Sequence, residues 1–373
     1  MFGITEQILT ARRGEMEAKL SLLRGLLDRR GPPAAVLTAP DSVAWLTGGV
    51  TSALERGSAV SPLWLVVTAD TVAALTTNVE RPRIEAEAEL GVPLHEASWF
   101  EPDGLARLAE DVAGHASDAL AWDSSPAFAE DLIALRLRLL EPERERLGRL
   151  GVDTAAALEE ALRAWQPGEL DRGVQAGIAE RLERDGCFAA CLIVGGDERV
   201  ERFRHPLANG EPMTRLVMAV VVAERGGLHA AATRFAYAGR LPDSVRAARD
   251  AAREVESGVL AATRPGASYG DAVRALDAAY AAAGHPGAWR EHYQGGPVGY
   301  RQREFELSPA QTGSRWYSTP IEAGHAVAWN PSIAGGGKVE DTYLVEEGGL
   351  RRLTDTGAWP AGALLDVTGG GFE

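Results

Sequence analysis

The chain has 373 residues, 45% of them hydrophobic, which is material for two to three domains with substantial cores. Its 53 acidic and 38 basic side chains leave a net charge of −15, a field that repels phosphate backbones and anionic lipid and so argues against a nucleic-acid or membrane-surface partner. No apolar run approaches the roughly 18 residues a membrane span requires, and the first residues mix Arg, Glu and Asp with Leu rather than forming the apolar core of an export signal. The expectation is a cytoplasmic chain. Cys187 and Cys191 cannot build a disulfide framework and make a poor zinc site, so they are read as two small hydrophobes near the start of a strand.

From Glu15 to Arg30, Met16, Leu20, Leu22, Leu23, Leu26 and Leu27 recur at helical spacing until Gly31-Pro32-Pro33 stops the pattern. Short apolar runs at Ala35–Leu37, Leu63–Val67 and Val72–Leu75, bounded by Pro, Gly and Asp, read as buried strands. A helix around Leu105–Ala113 and a strand at Ala119–Trp122 complete an α/β domain spanning 1–140. The charged joint Glu141–Arg146 opens a second domain, 141–373, with a long helix to Trp165. Beyond Pro167-Gly168 come a helix to Asp185-Gly186 and a strand at Ala189–Val194. Leu216–Ala223 and Leu228–Ala236, joined through Gly226-Gly227, read as a hairpin.

The plan then recurs. Ala251–Thr263 reads as a helix, Pro265-Gly266 follows, a further helix runs to Ala283-Gly284, and strands are expected at Ala326–Trp329 and Thr342–Val345. Pro265-Gly266 follows Pro167-Gly168 by 98 residues, and Gly284 follows Gly186 by the same offset, the mark of an internal pseudo-duplication.

Four segments carry a family resemblance: Ile193-Val194-Gly195-Gly196 leading to His205, the hairpin end Thr233-Arg234, Gly295-Gly296-Pro297-Val298-Gly299, and Val339-Glu340-Asp341-Thr342. In order and spacing the chain resembles the creatinase, prolidase and aminopeptidase P family. The resemblance implies an α/β N-terminal domain followed by an α+β C-terminal domain of the pita-bread fold, and a homodimer. The family's metalloenzymes hold two cations with two aspartates, one histidine and two glutamates, since such ions need several anionic oxygens. In this chain the matching positions fall on Val220, Ala231, Gly296 and Asn330, and only Glu340 is kept. One carboxylate and one amide cannot hold a dinuclear centre, so no catalytic metal and no other cofactor is expected. His229, on the hairpin face of Ala231 by strand alternation, is the one replacement ligand to consider.

The resemblance also marks residues able to act without a metal. In the family's metal-free creatinase branch the histidine at the position of His205 serves as acid and base, a role suited to an imidazole of near-neutral pKa. His292 resembles another family histidine; a solvated or structural role is the competing reading for both. Glu340 and Asp341 point to opposite sides if they lie on a strand, and the resemblance favours Glu340 as the inward one. That carboxylate then needs Arg234, Arg303 or a substrate cation beside it, while Arg303 could equally take a substrate acid or Glu304. Gly296 leaves room in the cleft, and Tyr300, Trp329 and Asn330 could line it.

Two functions follow as expectations. The first is a metal-independent hydrolase of a C–N bond in a small amide, amidine or peptide-like substrate, with His205, Glu340 and His292 catalytic, and with Arg234, Arg303, Tyr300, Asn330 and Gly296 binding substrate. The second is a catalytically inactive pita-bread protein whose cleft binds a short peptide or metabolite.

Overall fold

The computed structural model describes residues 6–373; the first five, part of the segment read above for an export signal, lie outside the described residues. The apolar spacing that begins the chain extends further than the sequence suggested. Helix α1 (Glu6–Arg30) starts nine residues before Glu15 and buries Met16, Leu20, Leu23, Leu26 and Leu27. The chain divides into two compact units, Met1–Arg136 and Leu137–Glu373.

In the first unit α1 is followed by β1 (Ala34–Leu37), α2 (Pro40–Leu46), β2 (Trp64–Thr68), β3 (Val72–Thr77), α3 (Arg81–Glu87), β4 (Leu94–Ala97), α4 (Gly104–Ala113), β5 (Ala121–Trp122) and α5 (Pro126–Arg136). The strands form one mixed sheet in the order β4-β3-β2-β1-β5, with β1 antiparallel to β2 and parallel to β5. Val36, Val66 and Leu75 pack beneath Leu105 and Leu108 of α4. The stretch expected as a strand from Ala119 begins as a 3₁₀ turn, Ser117–Ala119, and only Ala121–Trp122 pair. The short elements α2, α3 and β4 were not foreseen, because each is too brief to show a period.

The second unit contains α6 (Glu141–Ala164), β6 (Glu169–Leu170), α7 (Asp171–Arg184), β7 (Phe188–Gly196), α8 (Asp197–Arg202), β8 (Pro212–Met213), β9 (Leu216–Arg225), β10 (Leu228–Tyr237), α9 (Asp243–Ala262) and α10 (Tyr269–Ala282). It continues with β11 (Gly295–Val298), β12 (Ala326–Trp329), β13 (Ser332–Ile333), β14 (Gly337–Lys338), β15 (Tyr343–Glu346), β16 (Gly349–Arg352), β17 (Leu364–Asp366) and β18 (Gly371–Phe372). One sheet runs β18-β17-β10-β9-β7 and a second β11-β12-β15-β16. Strand β9 is an almost unbroken apolar run, buried from Leu216 to Glu224. Its hairpin with β10 turns through Gly226 and Gly227, both at positive φ (+60° and +80°), the conformation a two-residue type I′ loop demands.

The duplication is visible in this unit. Helices α6 and α7 precede the antiparallel strands β7, β9 and β10, and helices α9 and α10 precede the antiparallel strands β11, β12 and β15. The glycines at the 98-residue offset share a conformation as well as a place: Gly168 and Gly266 sit at φ +97° and +83°, Gly186 and Gly284 at +69° and +85°. The latter pair end α7 and α10 in the left-handed geometry that stops a helix. The architecture is thus an α/β N-terminal domain followed by an α+β pita-bread domain.

Candidate active site

The irregular stretch after α8 brings His205 to His292, which follows a 3₁₀ turn at Ala288–Glu291. Their Nε2 atoms are 3.1 Å apart and their rings 5.0 Å between centroids. His292 is fixed from behind by Gln294, whose amide donates to the carbonyls of His292 (2.7 Å) and Trp289 (3.1 Å) and accepts from the Tyr280 hydroxyl (2.9 Å).

These contacts assign the protons. Nδ1 of His292 meets the carbonyl of Tyr293, which can only accept, so Nδ1 carries the hydrogen and Nε2 the lone pair. Nε2 of His205 is then the donor, and Nδ1 of His205 is left as the accepting nitrogen of the pair. Burial and the nearby Lys338 charge keep both rings neutral: they push His292 down to about 2 and lower His205, the latter opposed by Glu340.

Glu340 lies between β14 and β15 with its side chain 1% exposed. Its Oε1 accepts from Nη2 of Arg303 at 2.6 Å, its Oε2 from the Thr233 hydroxyl at 3.2 Å, and its main-chain carbonyl from the Thr233 amide at 2.9 Å. Of the mates considered for Arg303, the structure supplies Glu340, while Glu304 accepts instead from the Tyr300 amide at 2.7 Å. Asp341 points elsewhere, to Nη1 of Arg234 (2.8 Å) and the Thr354 hydroxyl (2.6 Å). Arg234, buried and further donating to the Thr354 carbonyl, is therefore tied to Asp341 rather than to Glu340.

The remaining sequence-derived positions separate into two groups. Gly296, at φ +148° in β11, and Asn330 lie on paired strand ends near Gln294, which accepts the Asn330 amide at 3.0 Å; Oδ1 of Asn330 is buried without a hydrogen bond. The close approach belongs to Gly295, where a Cβ would stand 2.1 Å from the Ala328 carbonyl. Tyr300 is 1% exposed and its hydroxyl donates to Glu143 of α6 at 2.6 Å, and Trp329 donates to Thr263 at 3.0 Å, so both side chains are knitted into the interior. His229 donates its amide to the Gly299 carbonyl at 2.8 Å. Val220 stands opposite Thr233 across the β9–β10 ladder and belongs to the apolar cluster of Ile193, Met218 and Phe235; Ala231 is fully buried.

Two contributors escaped sequence reading. Lys338 is buried and acts electrostatically on His205, His292, Glu340 and Arg303. Cys191 of β7 is close enough to Glu340 and Lys338 for burial and the Glu340 charge to raise its thiol pKa. The signal for Lys338 was its spacing: two residues before Glu340 in an extended stretch, it shares that residue's side.

The sequence pattern of metallopeptidase family M24 matches residues 147–347. Solved structures share the fold over almost the whole chain. The dipeptidase PepE of Mycobacterium ulcerans superposes with a TM-score of 0.74 at 20% identity, covering 95% of this chain and 98% of its own. The prolidase of Pyrococcus horikoshii gives 0.70 at 16%, covering 91% and 98%. The N-terminal domain of the FACT complex subunit SPT16 from chickpea, Cicer arietinum, gives 0.65 at 12%, covering 94% and 96%. A search of curated proteins finds no match. No helix among the described residues is long and apolar enough to cross a membrane. With more than half its length matched by that pattern, the chain belongs to metallopeptidase family M24.

Proposed function

We propose that the chain is a hydrolase of a C–N bond in a small amide or peptide-like substrate, working by proton transfer at His205 without the family's dinuclear metal centre. The observation that carries this reading is the histidine pair. Nδ1 of His205 is an accepting nitrogen on a ring that is neutral at pH 7, backed by a second neutral ring that is itself held by a main-chain carbonyl. Such a nitrogen can take a proton from water or a substrate nitrogen, and the resulting imidazolium can return it to the leaving amine.

The donor set does not suit two divalent cations. The Glu340 carboxylate already has a cationic partner in Arg303 and a hydroxyl donor in Thr233, the neighbouring strand positions Val220 and Ala231 are aliphatic, and Lys338 adds a further positive charge. A cation would have to displace the guanidinium and tolerate the ammonium, so no step is assigned to a metal.

The same clamp on Glu340 supports a second reading, in which the cleft binds a short peptide or metabolite without turning it over, since each carboxylate oxygen is already held by a protein donor, Arg303 or Thr233. One experiment separates the two. Dipeptides, Xaa-Pro peptides and guanidino acids are incubated with the protein in the presence of a chelator. Turnover that is abolished in His205→Ala establishes the hydrolase; saturable binding with no turnover of any of them establishes the binding protein.

A further inference from the structure

His205 and His292 stand 87 positions apart in the chain, and neither belongs to a helix or a strand. No backbone ladder sets the distance between them, so the 3.1 Å approach of their rings depends on side chains. The residues that precede them supply the link. Nη2 of Arg204 donates to Oε2 of Glu291 at 2.6 Å, so the residue before His205 grips the residue before His292. Nη1 of the same guanidinium donates to the Ser332 hydroxyl at 3.1 Å. That hydroxyl, on a residue 2% exposed, passes its own hydrogen to the Gly337 carbonyl at 3.1 Å. One planar guanidinium thus ties together the two histidine-bearing segments and the β13–β14 ribbon, a task suited to its fixed fork of donors.

Each segment is also anchored on its far side. Pro206 packs on Gly195 of β7, where a Cβ would stand 2.6 Å from a ring carbon of the proline, and the Leu207 carbonyl accepts from Arg199 at 2.5 Å. Before His292, the Trp289 indole donates to Asp277 of α10 at 2.7 Å. Between these anchors the Arg204–Glu291 ion pair crosses from one segment to the other. Its side chains are 20% and 60% exposed, and a pair that open to water adds little to folding stability. What it fixes is alignment, to which a proton-transfer pair is sensitive at the scale of an ångström. The Arg204 charge acts on both rings as well, favouring their neutral forms.

We propose that Arg204 is the positioning residue of the histidine pair: by gripping Glu291 and Ser332 it holds Nε2 of His205 on Nε2 of His292, and so fixes the tautomer that leaves Nδ1 of His205 as the acceptor. Its bearing on turnover rests on the reading of that pair as the proton-transfer group; the alignment itself holds in a protein that only binds.

The test is a long-range proton–nitrogen correlation spectrum of the full chain labelled with ¹⁵N-histidine, at pH 7.5, which tells a protonated ring nitrogen from one bearing a lone pair. His205→Gln and His292→Gln identify the two sets of signals. The unaltered protein is expected to show His205 as the Nε2–H tautomer and His292 as the Nδ1–H tautomer. In Arg204→Met, His205 should lose its single tautomer and give the averaged nitrogen shifts of a free imidazole, while His292, still held by the Tyr293 carbonyl, keeps its own. Arg204→Lys should recover part of the His205 signature. Glu291→Ala opens the same grip from its exposed end, with the same loss expected at His205, and decides the matter if the Met variant does not fold. A single Nε2–H tautomer of His205 that survives in either folded variant, or a different pair of tautomers in the unaltered protein, overturns the proposal. The hydrolase reading fails separately, by absence of turnover that depends on His205, since the tautomers are read without any substrate.

Discussion

Nη2 of Arg303 donates to Oε1 of Glu340 at 2.6 Å, and the two side chains are 14% and 1% exposed. The pair is thus an ion pair in the interior, where removing one partner leaves an uncompensated charge. Arg303→Met is expected to destabilise the folded chain by about 3–5 kcal/mol. Arg303→Met with Glu340→Gln should recover most of that loss, because the second change removes the stranded charge. Denaturant unfolding of the two variants checks this; a single variant within about 1 kcal/mol of the parent would show that Glu340 is neutralised by something else.

Burial and the neighbouring Asp341 charge push Glu256 of α9 up to about 8, and its Oε1 is buried without a hydrogen bond. The native state therefore holds a proton that the unfolded chain, with an ordinary carboxyl near 4.5, releases. Stability contributed by this group is fully present below about pH 4.5 and is lost as pH rises toward 8, with a limiting slope of about 1.4 kcal/mol per pH unit. Glu256→Gln should flatten the decline between these values and be more stable than the parent at pH 8. Urea midpoints across that range measure it, and parallel curves for the two proteins would contradict it.

Tyr300 separates a pocket role from a structural one. Its hydroxyl holds Glu143 at 2.6 Å, so Tyr300→Phe should cost about 1–3 kcal/mol by leaving a buried carboxylate oxygen short of a donor. Ligand affinity of the folded fraction should be unchanged. A loss of affinity without a loss of stability would place the hydroxyl in the cleft after all.

The two kinds of glycine in this chain should respond very differently to alanine. Gly186 has φ +69° and nothing within 4 Å of an added Cβ, so Gly186→Ala meets only the left-handed backbone cost of about 1–2 kcal/mol. Gly295 combines φ +82° with a Cβ 2.1 Å from the Ala328 carbonyl, a clash with backbone that cannot rotate away. Gly295→Ala should be destabilising by more than about 4 kcal/mol or fail to fold, as thermal unfolding of the two variants will show.

What could be read in the sequence follows physical range. Periodicity and punctuation located α6, α7, β9, β10 and α10 to within a few residues, because their apolar patterns are long and because α7, β9 and α10 stop within two residues of glycines at positive φ, Gly186, Gly226 and Gly284. The matching offsets of Gly186 and Gly284 carried the duplication for the same reason. Pairings between residues far apart in the chain carry no such local trace. Nothing near Arg303 distinguishes Glu340 from Glu304 as its mate, and nothing near Tyr300 points to Glu143, 157 positions away. Lys338 is carried inside because its neighbouring glycine, Gly337, lets the ribbon press against α9, a packing between distant segments that leaves no local trace.

The central claim is that protein cations, not metal ions, balance the charge of this cleft. It is tested most directly by elemental analysis of the protein after dialysis against manganese, cobalt or zinc and removal of the excess. The account predicts well under one ion per chain for each metal; saturable retention of two ions per chain would contradict it.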